Sequence, residues 1–206
     1  NAEDYAAFER VVADSLDRAD APGLLAYCFM PNHWHLVVQA GEQTNLSTWM
    51  QWVTVTHTHR WHTHSQTVGQ GPLYQGRFKS FPVQADVHFL RVCRYVEANA
   101  VRAGLVPQAE QWPWGSLWCR SHRRAALFDK LTTWPVDRPG NWSDDVNRPM
   151  DEEALKSVRR SVSKGLPLGM PDWQAKTAGR LGLQTTVRRR GRPCNGIRQF
   201  TLDAAL

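Results

Sequence analysis

Met30-Pro31-Asn32-His33-Trp34-His35-Leu36-Val37-Val38-Gln39 decides how the rest of the chain is read. An apolar run after a Pro-Asn turn predicts a β-strand. Strand side chains alternate with period two, so His33 and His35 share one face while Trp34 points to the other. Two imidazoles on one face can grip a single metal ion. Histidine pairs also occur as ordinary surface or core residues, so the spacing needs companions elsewhere in the chain. Trp34 supplies bulk to a face packed against helices.

Upstream, residues 24–30 form an apolar run bounded by Gly23 and Pro31, which predicts a buried strand and hence a β-hairpin that presents the histidines near its turn. Tyr5, Phe8, Val12 and Leu16 recur at helical spacing and predict an amphipathic helix over residues 2–18, ended by Ala21-Pro22-Gly23. Downstream, residues 41–45 read as a loop with Asn45 as N-cap. Leu46, Trp49, Met50, Val53, His57 and Trp61 predict a helix over residues 46–64. Residues 53–59 also alternate and are rich in β-branched side chains, so a strand competes there. His57, His59, His62 and His64 scatter around such a helix, and a solvated or DNA-facing patch fits them better than a second metal site.

Residues 73–83 read as a third strand, with Arg77 and Lys79 on one face, suited to holding phosphates. A helix then starts at Ala85 or Asp86, with Val87, Leu90, Val92, Cys93 and Val96 as its apolar surface. On it Tyr95 and Asn99 stand four residues apart and therefore share a face. If that face looks at the histidine hairpin, the Asn99 side-chain oxygen can complete a metal site while Tyr95 aims its hydroxyl at the same phosphate. A divalent cation offsets the weakness of a protonated phenol by polarising the phosphate for in-line attack. Mixed histidine and amide ligation suits Mn2+ or Mg2+.

Histidine-hydrophobe-histidine is the signature of the HUH nuclease superfamily. The wider chain resembles its single-tyrosine transposases, the REP-associated tyrosine transposases in particular. The resemblance runs from the first helix through Met30-Pro31-Asn32-His33, Gln75-Gly76-Arg77-Phe78-Lys79-Ser80 and Tyr95-Val96-Glu97-Ala98-Asn99-Ala100-Val101-Arg102-Ala103-Gly104-Leu105-Val106 to Trp112-Pro113-Trp114-Gly115-Ser116. It implies His33, His35 and Asn99 as metal ligands, Tyr95 as nucleophile, Mg2+ or Mn2+ as cofactor, and single-stranded hairpin DNA as partner. Cleavage would leave a 5′-phosphotyrosine bond and a free 3′-hydroxyl. It further implies an α+β fold, a ferredoxin-like antiparallel sheet with helices on one face. Ala100 stands where the family commonly has proline, which lets the helix run slightly further. The family's first strand precedes the first helix, and nothing precedes Asn1 here. The expectation is a chain lacking that strand, with an unpaired sheet edge, as a fragment or a degenerate relative.

Charge is unevenly placed. Lys and Arg number 25 against 19 Asp and Glu, a net +6. Residues 1–20 carry six acids and two bases, whereas residues 154–198 carry eleven bases and one acid, Asp172. That asymmetry points to a polyanion partner for the C-terminal half, nucleic acid rather than membrane. The longest apolar run, residues 24–30, is far too short to span a bilayer. Cys28, Cys93, Cys119 and Cys194 lack a C-x-x-C spacing and read as reduced thiols of a cytoplasmic protein.

These patterns divide the chain into a catalytic domain over residues 1–120, a Pro- and Trp-containing linker over 121–150, and a basic helical region over 151–206 that binds DNA or restrains the site. Asp151-Glu152-Glu153 opens one helix there, residues 173–183 form a second, and Arg188, Arg189, Arg190 and Arg192 make a basic tail suited to backbone or minor-groove contact. Arg102 joins Arg77, Lys79 and the tail as an expected DNA contact. The sequence reads as a monomeric, metal-dependent single-strand DNA endonuclease and strand transferase on palindromic repeats. The alternative is a non-catalytic DNA-binding relic; a histidine-rich metal binder without a nucleic-acid role conflicts with the basic tail.

Overall fold

The computed structural model describes residues 1–123 and 126–187. The order is α1 (Ala2–Ser15), β1 (Gly23–Phe29), β2 (Trp34–Gln39), α2 (Leu46–Ser65), α3 (Val87–Glu97), α4 (Asn99–Arg102), α5 (Ser116–His122), α6 (Trp142–Asn147), α7 (Glu152–Lys164), α8 (Pro171–Leu181) and α9 (Gln184–Val187). The class is α+β, and among the described residues the sheet is the antiparallel pair β1-β2.

Strand pairing sets the two faces of that hairpin. Cys28 opposes His35, and Tyr27 and Phe29 oppose Leu36 and Trp34, with an irregularity between Leu24 and Ala26. Tyr27, Phe29, Trp34 and Leu36 pack with Phe8, Val11 and Val12 of α1 and Trp49, Met50 and Val53 of α2. Ala26, Cys28 and Val37 pack instead with Val92, Cys93 and Val96 of α3. Helices therefore cover both faces, which corrects the expectation of helices on one face. The cause lies in β1: it is apolar along nearly its whole length and buried from Leu24 to Phe29, the pattern of a strand covered on both sides.

α2 is a helix despite its β-branched run. Asn45 caps it by accepting from the Thr48 amide at 3.1 Å, and Trp49, Met50 and Val53 bury one side. Thr54 and Thr58 turn their hydroxyls back onto the carbonyls of Met50 and Thr54, at 2.9 and 2.8 Å, which removes the competing interest of those side chains. The buried Trp49 indole donates to the Ser15 carbonyl at 3.1 Å and so ties α2 to the end of α1.

Residues 73–83 do not form the expected strand. Bends occupy residues 73–76, and Val83 alone makes a bridge, to Leu168. Tyr74 is drawn to His57 and Phe78 into the α2 side of the core, so the alternation serves other contacts.

The outer edge of β1 is closed by residues from 112 onward. Phe29 donates its amide to the Trp114 carbonyl at 2.9 Å, and Tyr27 donates to the Ser116 hydroxyl at 3.0 Å. The Leu25 carbonyl accepts from both Arg120 and the Trp134 indole at 2.7 Å. Among the described residues no strand pairs with the other edge of β2. Trp142 and Val146 of α6, Val158 of α7 and Leu168 belong to the same core cluster as α3. Gln84 and Leu168 bond to each other's segments, Gln84 amide to Leu168 carbonyl at 2.9 Å and Leu168 amide to Pro82 carbonyl at 2.8 Å.

Candidate active site

The hairpin turn and the end of α3 meet at one point. His33 lies just ahead of β2, its carbonyl accepting from the Met30 amide at 2.8 Å, and His35 lies on the face that looks at α3. Their rings are 5.0 Å apart and nearly perpendicular. The His35 ring stands 5.8 Å from that of Tyr95, and Asn99 Nδ2 is 3.4 Å from His33 Nε2. The four residues that the sequence proposed thus come together across 66 positions of chain.

α3 is capped at its start by Asp86, whose carboxylate accepts from the His88 amide at 2.8 Å. Ala98 then interrupts the helix, and α4 resumes with Asn99. Ala100 therefore does not lengthen α3; the break comes two residues before it. In an unbroken helix the Asn99 amide would bond the Tyr95 carbonyl. Here that oxygen accepts from Arg102 Nη1 at 2.7 Å.

The electrostatics favour neutral imidazoles. Burial, then the neighbouring His33 and Arg102, push His35 down to about 4. His33, exposed at the rim, is drawn below its usual value by the part of its ring that is buried. Neutral rings keep a lone pair for a ligand at pH 7. Among the described residues no three His, Cys, Asp or Glu side chains form a metal cluster, so a cation here would need the Asn99 amide as third donor. Two imidazoles and an amide oxygen fit Mn2+ or Mg2+ by chemistry, with positions left for water and phosphate.

Other expected residues lie elsewhere. Arg77 lines a groove of about 880 Å³ against α2, which packs on the hairpin face opposite α3. Lys79 is exposed. Arg102 turns inward, onto Tyr95 and Asn99. Arg188, Arg189, Arg190 and Arg192 lie outside the described residues. His57 is half-buried and engaged within the protein: its Nδ1 is 2.6 Å from the Tyr74 hydroxyl, and burial pushes it down to about 4. His62 ties down the loop after α2 through Thr67 and the Gly71 carbonyl, at 2.8 and 3.0 Å.

Sequence reasoning missed Glu97. It is 3% exposed, and its two oxygens accept from the Ser116 hydroxyl at 2.5 Å and the Trp142 indole at 2.6 Å. Burial raises its carboxyl above the usual range. It lies four residues after Cys93, on the buried stripe of α3, and an acid on an apolar stripe was the available signal.

Searches of curated proteins and of solved structures found no match to this chain. No described helix is long and apolar enough to cross a membrane. Residues 3–99, which hold the hairpin, Tyr95 and Asn99, match the family described as transposase IS200 like, and the match supports a place for this chain in the transposase family.

Proposed function

We propose that the chain is a metal-dependent single-strand DNA endonuclease and strand transferase of the REP-associated, HUH type, acting on hairpin-forming palindromic repeats. One observation carries the reading: Tyr95, His33, His35 and Asn99, far apart in sequence, converge on one partly open site inside the segment that matches a transposase family.

Tyr95 is the nucleophile. Its hydroxyl oxygen attacks a backbone phosphorus as the bond to the 3′-oxygen breaks, and the phenolic proton passes to that oxygen. The product is a 5′-phosphotyrosine ester and a free 3′-hydroxyl, and reversal with another 3′-hydroxyl joins strands. His33, His35 and Asn99 would hold a divalent cation, which supplies positive charge to the phosphate. His35, kept neutral, serves as a ligand and not as a competing cation. The exposed rim at His33 leaves a strand access to the site. The basic C-terminal region is assigned to duplex backbone contact, and the working unit is a cytoplasmic monomer.

The test incubates the purified chain with labelled single-stranded hairpins from its own genome's repeats and Mn2+ or Mg2+. The expected result is a covalent adduct that needs metal and disappears in Tyr95→Phe, while hairpin binding stays near wild type. Binding without any adduct would assign the chain to the non-catalytic relic instead.

A further inference from the structure

Arg102 follows Tyr95 by seven residues and Asn99 by three, so on this helical segment its side chain reaches back over both. Nη1 donates to the Tyr95 carbonyl and Nη2 to Asn99 Oδ1, each at 2.7 Å, and Cζ lies 4.1 Å above the Tyr95 ring. The guanidinium therefore closes the gap that the break at Ala98 leaves and stacks on the phenol at once.

The same contact fixes the Asn99 amide. A guanidinium only donates, so the Asn99 atom it meets is oxygen, and the amide nitrogen faces His33 Nε2 at 3.4 Å. His33 Nδ1 is engaged with Asn32 Oδ1 at 2.7 Å, which makes Nε2 the acceptor that Asn99 addresses. The amide oxygen and the imidazole lone pair are thus each partly committed within the protein. A positive charge is also held close to His35.

We propose that Arg102 is a positioning residue with two opposite effects, fixing the Tyr95 ring for attack while restraining the Asn99 amide oxygen away from the histidine pair and so weakening metal binding. The first effect rests on the function proposed above; the second concerns the metal alone. Arg102 then sets a threshold: cation binding must turn or share the Asn99 oxygen and accommodate a neighbouring cation.

The experiment titrates Mn2+ into the full chain, into Arg102→Met and into Arg102→Lys, followed by electron paramagnetic resonance of the free ion. Adduct formation is measured beside it at saturating Mn2+, and thermal transitions check folding. Arg102→Met is expected to bind Mn2+ at least about fivefold tighter, because one cation and one competing hydrogen bond are gone. It should form adduct at least about tenfold more slowly, because the ring is no longer held. Arg102→Lys, with charge but no fork, should fall between in Mn2+ affinity. Adding His35→Ala to Arg102→Met should abolish the gain. General damage would weaken binding and chemistry together, so Mn2+ affinity unchanged or lower in a folded variant overturns the proposal. So does the absence of Mn2+ binding in every variant. If Arg102→Met fails to fold, Arg102→Lys decides by the same criterion. Tighter Mn2+ binding with no adduct even from the wild type would uphold the restraint and sink the transposase reading.

Discussion

Glu97 sits between Tyr95 and Asn99 in sequence but faces the core, and it offers the sharpest test of how the site is held. Glu97→Ala removes the acceptor of the Ser116 hydroxyl and of the Trp142 indole. A buried donor left without a partner costs about 1–3 kcal/mol. Two such donors, less the relief of no longer burying a carboxyl whose pKa burial has raised, give a loss of about 2–4 kcal/mol. Glu97→Gln should behave differently. The amide oxygen can take the Trp142 N–H, which cannot rotate, while the amide NH2 donates to the Ser116 oxygen, whose hydroxyl can. Its cost should be about 1–2 kcal/mol, below that of the alanine variant, because the Ser116 proton is then the one donor that must find another acceptor. The pH dependence adds a sign. The folded carboxyl lies above its ordinary value of 4.5, so its contribution is fully present below 4.5 and is lost as pH rises through the raised folded value. The gap between wild type and Glu97→Gln should therefore narrow with rising pH. Urea unfolding followed by far-ultraviolet circular dichroism at several pH values reads all three. An alanine variant within about 1 kcal/mol of wild type, or a glutamine variant as damaged as the alanine one, would refute the reasoning.

Two further outcomes follow from the packing. His57 has its pKa pushed from 6.5 down to about 4 by burial, so its share of stability is complete above pH 6.5 and lost as pH falls toward 4. His57→Gln should flatten that acid limb by about 2 kcal/mol after allowance for solvent screening, read as the difference in urea midpoints between the two proteins. A Cβ on Gly169 would lie 2.6 Å from both Gln84 Oε1 and Trp173 Cε3. Gly169→Ala should therefore cost about 1–3 kcal/mol and speed protease cleavage near α8; unchanged cleavage would contradict the tight approach.

Local pattern carried the hairpin and the helices well, because their signals lie within a few residues. The period of two placed His33 and His35 on one face, and the i, i+4 spacing placed Tyr95 and Asn99 on a shared helical face; that this face meets the hairpin is a long-range contact the spacing does not encode. The break at Ala98 was not legible, since neither Ala98 nor Ala100 is a helix breaker; Arg102 compensates for it through a side-chain contact that periodicity does not see. Residues 73–83 misled for the converse reason. Their alternation reflects contacts of Tyr74 with His57 and of Phe78 with the core on the α2 side, not a ladder of backbone bonds. An uninterrupted apolar run in β1 already carried the signal for cover on both faces, and the family expectation of one-sided helices overrode it. The partners of Glu97 lie 19 and 45 positions away, beyond any local window.

The closing of the β1 edge also bears on how the chain folds. Ser116 follows Tyr27 by 89 positions and Trp134 follows Leu25 by 109. At synthesis rates of about 5–20 residues per second, the hairpin would wait roughly 5–20 s for the groups that cover it. During that interval a row of unpaired amides and carbonyls on an apolar strand is open to other chains. Contacts so distant in sequence also slow the search for the native state. Folding yield should accordingly fall with expression rate and recover with a chaperone that shields nascent strands.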